Sequence, residues 1–428
     1  MPKVIIIIII AVWCIPGTIF AQPVDSRDTT SIVWRQGYLD IHHIETGSGN
    51  CAFFVMPDGT TMLVDAGDIG DRKLRKAGYP LTSTPPYPNS SKTAGQWIVA
   101  YIKQVLPTIK TPVIDYALIT HYHDDHLGGI TPSTKTAANK AYMLTGITEV
   151  GDLLPIRKLI DRDYPANNFP TDLEKYYQKE PSIFLNLQRF INYQQKNNLV
   201  AEQLKVGSSQ QIVLNHSKDS YPGFKVTGVK ANGTIWTGKG DTTFEYFTAE
   251  RVLDSNAKFN ENPLSLAIKV SYGKFDYFTG GDNTGLEGFG MPAWFDVETP
   301  MAKAVGKVEV TTLDHHGCRD AVNQNFLAYL QPQTIVQQSW SSNHPGEEVL
   351  HRLISNHIYR GEKNIFATDI QGVTKATLGF WLTDNYKSTF GHIIIRVLPG
   401  GNVYYVLVAE TINGKVQIKK VFGPYQCG

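Results

Sequence analysis

The run His121-Tyr122-His123-Asp124-Asp125-His126 constrains this chain more than any other stretch. It follows Val113 to Thr120, a short apolar segment with β-branched residues that reads as a buried strand. Two histidines at i and i+2 just past a strand can point toward one cation. The adjacent Asp125-His126 pair can serve a second. Imidazole and carboxylate ligands suit zinc, and also manganese or iron. After Leu127, Gly128-Gly129 gives an exit without Cβ atoms, where the backbone passes close to the site. So dense a set of ligand types at a strand end is a metal-binding pattern rather than a polar surface loop.

Three further segments gain force from their order. Val64-Asp65-Ala66-Gly67 ends a strand with a carboxylate in a glycine turn, and Phe278-Thr279-Gly280-Gly281-Asp282 repeats the arrangement. Asp282 can bridge two cations held about 3.5–4 Å apart. Leu313-Asp314-His315-His316-Gly317 places two more histidines at a strand end. Neighbouring residues there point in opposite directions, so only one of His315 and His316 is expected to be a direct ligand. The residue order does not say which. His344 is a candidate to line the pocket as proton donor or phosphate contact. Asp125, Asp282 and His344 are the expected participants in the chemistry. Cys318 reads as a small residue filling a turn rather than as a soft ligand, and His216 as a surface residue.

Alternation between about Val33 and Leu63 predicts a β-meander, and Gly95 to Val105 a helix. Ile183, Phe184, Leu187, Phe190 and Ile191 share one helical face. Strands are predicted at Phe224 to Val229, at Val308 to Leu313, at Thr334 to Gln338 and at Ile365 to Thr368. Ser265 to Val270 and Phe275 to Thr279 form a hairpin, and His392 to Leu398 and Val403 to Val408 close the chain as another. Strands in two runs with helices between and after them favour an α/β fold of two packed sheets covered by helices, a four-layer αβ/βα sandwich. Residues 22–428 are expected to form one domain, with a helical insertion at about 131–206 that overhangs the site.

Composition limits the partners. With 42% hydrophobic and 18% charged residues and a net charge of +1, the chain has no strong field that would argue for nucleic acid or an anionic membrane. Lys3, the apolar Val4 to Trp13 and the small Ala21 read as a signal peptide over residues 1–21, with Pro16-Gly17 too early for a membrane anchor. The expectation is export to a periplasm or the cell exterior. Cys51, Cys318 and Cys427 remain after cleavage, so at least one is unpaired. No later apolar run is long enough to span a membrane.

The motif set resembles the metallo-β-lactamase superfamily over most of the chain. The resemblance implies an αβ/βα sandwich with two divalent metal ions, zinc first, at one edge between the sheets. It implies that His121 and His123 hold one ion and Asp125 and His126 the other, with Asp282 bridging. One of His315 and His316 then completes the second site, and Asp65 orients a ligand or the histidine loop. Gly47-Ser48-Gly49-Asn50, His315-His316-Gly317 and Asn343-His344-Pro345 are similar to the hydrolase domain fused to bacterial competence DNA-uptake channels. The exported phosphorylcholine esterases of the superfamily are similar too. Both imply hydrolysis of phosphodiester or other phosphoryl compounds, small molecules or components of the cell envelope. The alternatives are a carboxylic ester, lactone or amide hydrolase, and a binding protein that keeps the fold without turnover. One departure stands out: Asn260-Glu261-Asn262-Pro263-Leu264-Ser265 has no histidine where many members carry one.

Overall fold

The computed structural model describes residues 27–47, 49–70, 81–253, 259–286 and 290–428. The segment read as a signal peptide lies outside them. Two sheets, each with nine strands among the described residues, form the centre. The first runs, neighbour to neighbour, Lys415–Gln426, Val403–Ile412, His392–Val397, Leu39–His43, Ala52–Val55, Thr61–Val64, Ile114–Leu118, Ile156–Asp161 and Val200–Gln203. The second runs Tyr386–Ser388, Asn364–Ala367, Thr334–Gln337, Val310–Thr312, Phe275–Thr279, Ala267–Tyr272, Phe224–Ala231, Thr234–Trp236 and Thr243–Glu245.

Side-chain alternation along these strands builds three apolar cores. Between the sheets, Ile41, Phe54, Met62 and Leu118 of the first meet Ile268, Val270, Tyr277 and Val336 of the second. Residues one step away face outward: Phe53, Val55 and Leu63 pack under Ile98, Ile102, Ile147, Phe184 and Leu187. Those residues come from the helices Ala94–Val105, Gly146–Leu153 and Ile183–Gln194. On the far side, Phe278, Leu313 and Ile335 are covered by Met301, Phe326, Leu327 and Leu350. These belong to the helices Glu298–Val305, Gln324–Leu330 and Glu347–Ile354. Helix, sheet, sheet and helix give the four-layer αβ/βα sandwich.

Each sheet changes character along its width. Thr61–Val64, Ile114–Leu118 and Ile156–Asp161 are parallel, as are Phe275–Thr279, Val310–Thr312 and Thr334–Gln337. Parallel neighbours bring their carboxyl ends to one edge, the place where open α/β sheets present binding groups. Asp65, His121, Asp282 and the His315-His316 pair all follow such ends.

Two parts of the chain differ from the sequence reading. The stretch 131–206 contributes helices, but it also supplies the strands Ile156–Asp161 and Val200–Gln203, which widen the first sheet. Its helix Ile183–Gln194 lies on the outer face of that sheet, and Phe184 packs edge-on against Tyr122 at 5.0 Å between ring centres. The closing hairpin continues to Ile412, turns at Asn413 and Gly414, both with positive φ, and adds Lys415–Gln426. That edge strand alternates without a buried face and carries Lys415, Lys419 and Lys420, which mask its periodicity and guard the edge. Among the described residues no helix is long and apolar enough to cross a membrane. Cys51, Cys318 and Cys427 are each buried and unpaired.

Two histidines inside the sandwich tie the fold to pH. His43 donates from Nδ1 to the Ile393 carbonyl at 3.1 Å and accepts from the Tyr277 hydroxyl at 3.0 Å, across the two sheets. Burial pushes its imidazole down to about 4 and that of His392 down to about 3. Both titrate near 6.5 once unfolded, so the unfolded state binds more protons below that pH. Their stabilisation is therefore complete above pH 6.5 and declines as the pH falls toward 4, by ~1.4 kcal/mol per pH unit for each group. Glu45, pushed up to about 8 by burial, acts in the opposite sense as pH rises. The readout is thus a difference: His43→Gln should flatten the fall in urea-unfolding stability between pH 6.5 and 4.5. An unchanged slope would contradict this assignment.

Candidate metal centre

The histidine loop is held from behind. Asp65 adopts a left-handed backbone (φ 58) at the end of its strand. Its Oδ1 accepts the Thr120 N–H and its Oδ2 the Thr120 hydroxyl, both at 2.8 Å. Oδ2 also lies 2.7 Å from His126 Nδ1, so that nitrogen carries the proton and Nε2 faces inward. With its proton given to Asp65, the Thr120 hydroxyl accepts from His121 Nδ1 at 3.2 Å, which turns the Nε2 of His121 inward too. His316 follows the same rule from the other sheet, donating from Nδ1 to the Gln338 carbonyl at 3.1 Å. Outer partners thus choose the inner nitrogen of three imidazoles.

Close backbone passage makes this possible. A Cβ at Gly67 would lie 1.7 Å from the Asp125 carbonyl oxygen, and one at Gly128 (φ 102) would lie 2.5 Å from Gly146 Cα.

Two ligand groups result, with ligand atoms mutually within 4.8 Å: Asp125, His126, Asp282 and His316, and His121, His123 and Asp282. Asp282 belongs to both. Its carboxylate lies 3.0 Å from His126 Nε2, 3.7 Å from His121 Nε2 and 3.5 Å from His316 Nε2. His316 Nε2 also meets Asp125 Oδ2 at 2.8 Å, and His121 Nε2 meets His123 Nδ1 at 3.0 Å. The structure therefore separates the histidine pair: His316 joins Asp125 and His126, while His315 turns toward Asp320, with Nδ1 2.6 Å from its Oδ1.

Charge within the cluster is ordered. Burial opposes ionisation of Asp282, but His126, His316 and His315 outweigh it and hold the carboxyl well below the usual range. Burial also acts against Asp125, where His126 and the His316 hydrogen bond prevail in the same direction. His316, despite burial, is raised to about 9 by Asp282 and Asp125. Burial and then His126 lower His121, leaving a neutral imidazole. Ionised carboxylates beside inward nitrogens are a ready donor set for divalent cations.

His344 is buried, stacks on His316 at 4.7 Å between ring centres, and packs against Trp340 at 5.0 Å. Its Nδ1 accepts the N–H groups of Trp340 at 3.3 Å and Ser341 at 3.2 Å. His216 is exposed and its backbone N–H bonds Asp58, apart from the cluster. Where a histidine is missing, Glu261 forms a buried two-pronged pair with Arg162 (2.6 and 3.0 Å), and Asn262 Nδ2 lies 3.0 Å from His315 Nε2. Thr120, Asp320, Asn262 and Gln338 were not legible as site residues. Only Thr120 carried a signal, by directly preceding His121.

The sequence matches no family model and no curated relative. Similar solved structures include a mutant of the CmlA β-hydroxylase, with TM-score 0.34, 12% identity, and 70% of this chain covering 45% of that one. The chain thus spans less than half the length of that protein. Zinc-bound PqqB from Methylobacterium extorquens gives TM-score 0.32 and 9% identity over 70% of this chain and 88% of its own. A protein of unknown function from Enterococcus faecalis V583 gives 0.29 and 9% over 82% and 76%. At such scores the architecture rests on this chain's own strand order and cores.

Two outcomes follow from the orientation of the imidazoles. Thr120→Val should weaken metal affinity by about tenfold or more, read in competition with a chromophoric chelator, while the fold persists. His316→Ala should empty the Asp125 group, whereas His315→Ala should leave the Asp282 cluster loaded. Equal metal occupancy of the Asp282 cluster in the two alanine variants would show that the pair is not divided in this way.

Proposed function

We propose that this chain is an exported hydrolase that uses two divalent metal ions, zinc first, on phosphodiester or other phosphoryl substrates. The observation that carries the reading is the sharing of Asp282 between two ligand groups. The residues fit such ions. His126 Nε2 and Asp282 Oδ1 are both buried and face each other at 3.0 Å without the alignment a hydrogen bond requires. Unpartnered buried polar atoms of this kind are costly unless another group satisfies them. His121, His123 and Asp282 would hold one ion, and Asp125, His126, His316 and Asp282 the other. When bound, a pair of such ions lowers the pKa of water to about 7 and stabilises charge developing on the substrate.

The chain's own groups supply the rest. Asp65 and Thr120 keep the loop histidines in one tautomer. Burial, followed by His316 and His315, drives the His344 imidazole well below its ordinary range, so it stays neutral. With Nδ1 occupied by backbone N–H groups, its Nε2–H is the donor available to a phosphoryl oxygen. The phosphoryl preference is supported by the motif resemblance, and export by the apolar segment Val4 to Trp13. The near-zero net charge favours small or cell-envelope substrates over nucleic acid.

Asp282→Ala should lower the metal content by two ions per chain by elemental analysis and reduce turnover to that of the metal-free protein. The substrate class is tested with bis-aryl phosphates, phosphorylcholine esters, lactones and nucleic acids on zinc- or manganese-loaded protein. Cleavage of the phosphate diesters supports the reading. Cleavage of lactones alone would replace it with carboxylic ester chemistry, and metal loading without turnover would make the chain a binding protein.

A further inference from the structure

Cys318 does not sit in its turn as an inert filler. Its sulfur joins His315 and Asp320 in a third group of ligand atoms mutually within 4.8 Å, distinct from the two that share Asp282. From these residues we propose a third metal site, for zinc or a similar borderline-soft cation, on the outer side of the two-metal cluster.

The backbone builds this group. His315 (φ 43), His316 (φ 57) and Gly317 (φ 77) lie consecutively in the left-handed region. Such a conformation is unfavourable for a residue bearing a side chain, so it persists only where the surroundings enforce it. Its effect is to send adjacent imidazoles to different places. His316 reaches Asp125 and Asp282, while His315 presents Nδ1 to Asp320 at 2.6 Å. The Cys318 N–H closes the turn on the His315 carbonyl at 2.8 Å, returning the thiol toward the ring that precedes it. Gln337 Nε2 donates to the His316 carbonyl at 2.7 Å, and the Gly346 N–H to the Gly317 carbonyl at 2.9 Å, fixing the turn from below.

The donor chemistry is that of a zinc site: one thiolate, one imidazole and one carboxylate. The spacing His-x-x-Cys-x-Asp places all three on a single turn. Asn343 Nδ2 donates to the sulfur at 3.4 Å, the type of outer contact that steadies a thiolate ligand. Cys318 is buried, but the side chains of His315 and Asp320 keep 22% and 23% exposure. The group therefore closes toward the protein and opens toward solvent, which leaves room for water as a fourth ligand. His315 Nε2 lies 3.8 Å from Asp282 Oδ2, so the third site adjoins the cluster and uses the ring nitrogen that points away from it.

Cobalt(II) is the probe, because a cobalt–thiolate bond gives a near-ultraviolet charge-transfer band that imidazole and carboxylate ligands do not. The full chain loaded with cobalt should show this band. Cys318→Ser should abolish it and lower the metal content by one ion per chain. Asp282→Ala should keep the band while losing the two ions of the cluster. Asp320→Asn should weaken the band, and it serves if the serine variant does not fold. Cobalt bound without a thiolate band in the unaltered chain, or an unchanged stoichiometry in Cys318→Ser, overturns the proposal. In the unaltered chain, a band accompanied by a single bound ion would refute the two-metal reading and leave this site standing.

Discussion

The centre depends on one carboxylate crossing between sheets. Asp282 leaves a strand of the second sheet and enters a ring of imidazoles, two of them from the loop that ends a strand of the first. Neither sheet alone contains the site. The spacing of the candidate ligands is set by the packing of Ile41, Phe54 and Met62 against Ile268, Val270 and Tyr277, so core packing and chemistry are one problem. Without a cation, the two carboxylates stay ionised because the histidines around them carry the opposing charge. That arrangement stores, in protein–protein ion pairs, much of the electrostatic complementarity that a cation would use.

Precision at this junction comes from groups that never face it. Thr120, Asp65 and the Gln338 carbonyl act on the outer nitrogens of His121, His126 and His316, and each is fixed to a strand end. A bare loop of the same composition would leave every ring free to choose its tautomer. The close backbone passage at Gly67 serves the same purpose by locking the histidine loop against the preceding turn.

The sandwich was legible because its strands alternate and its helices carry one apolar face. The core of the site was legible because four candidate ligands crowd into six positions after a strand. What escaped has a physical reason in each case. The strand Lys415–Gln426 buries neither face fully, so its hydrophobic period vanishes among lysines. Ile156–Asp161 and Val200–Gln203 are short and lie between helices, where local pattern is overruled by pairing with Ile114–Leu118 and its neighbour. The division between His315 and His316 rests on three left-handed residues in succession, which no residue preference encodes apart from the glycine. Asp320 and Asn262 reach the site through that turn and through a loop pinned by Arg162, contacts that only the assembled chain possesses.

The return of the chain to the first sheet bears on the order in which the molecule is made. His392–Val397 pairs with Leu39–His43, and Val403–Ile412 and Lys415–Gln426 extend the sheet beyond it. A growing polypeptide that has reached residue 390 already holds every candidate ligand. Yet Leu39–His43 is then an open edge, with apolar residues on one face and the Ile393 carbonyl not yet available to His43. Closure of the first sheet beside the candidate centre therefore waits on the strands that follow residue 390. The candidate ligands of both sheets are thus made long before the strands that complete the sheet supporting half of them.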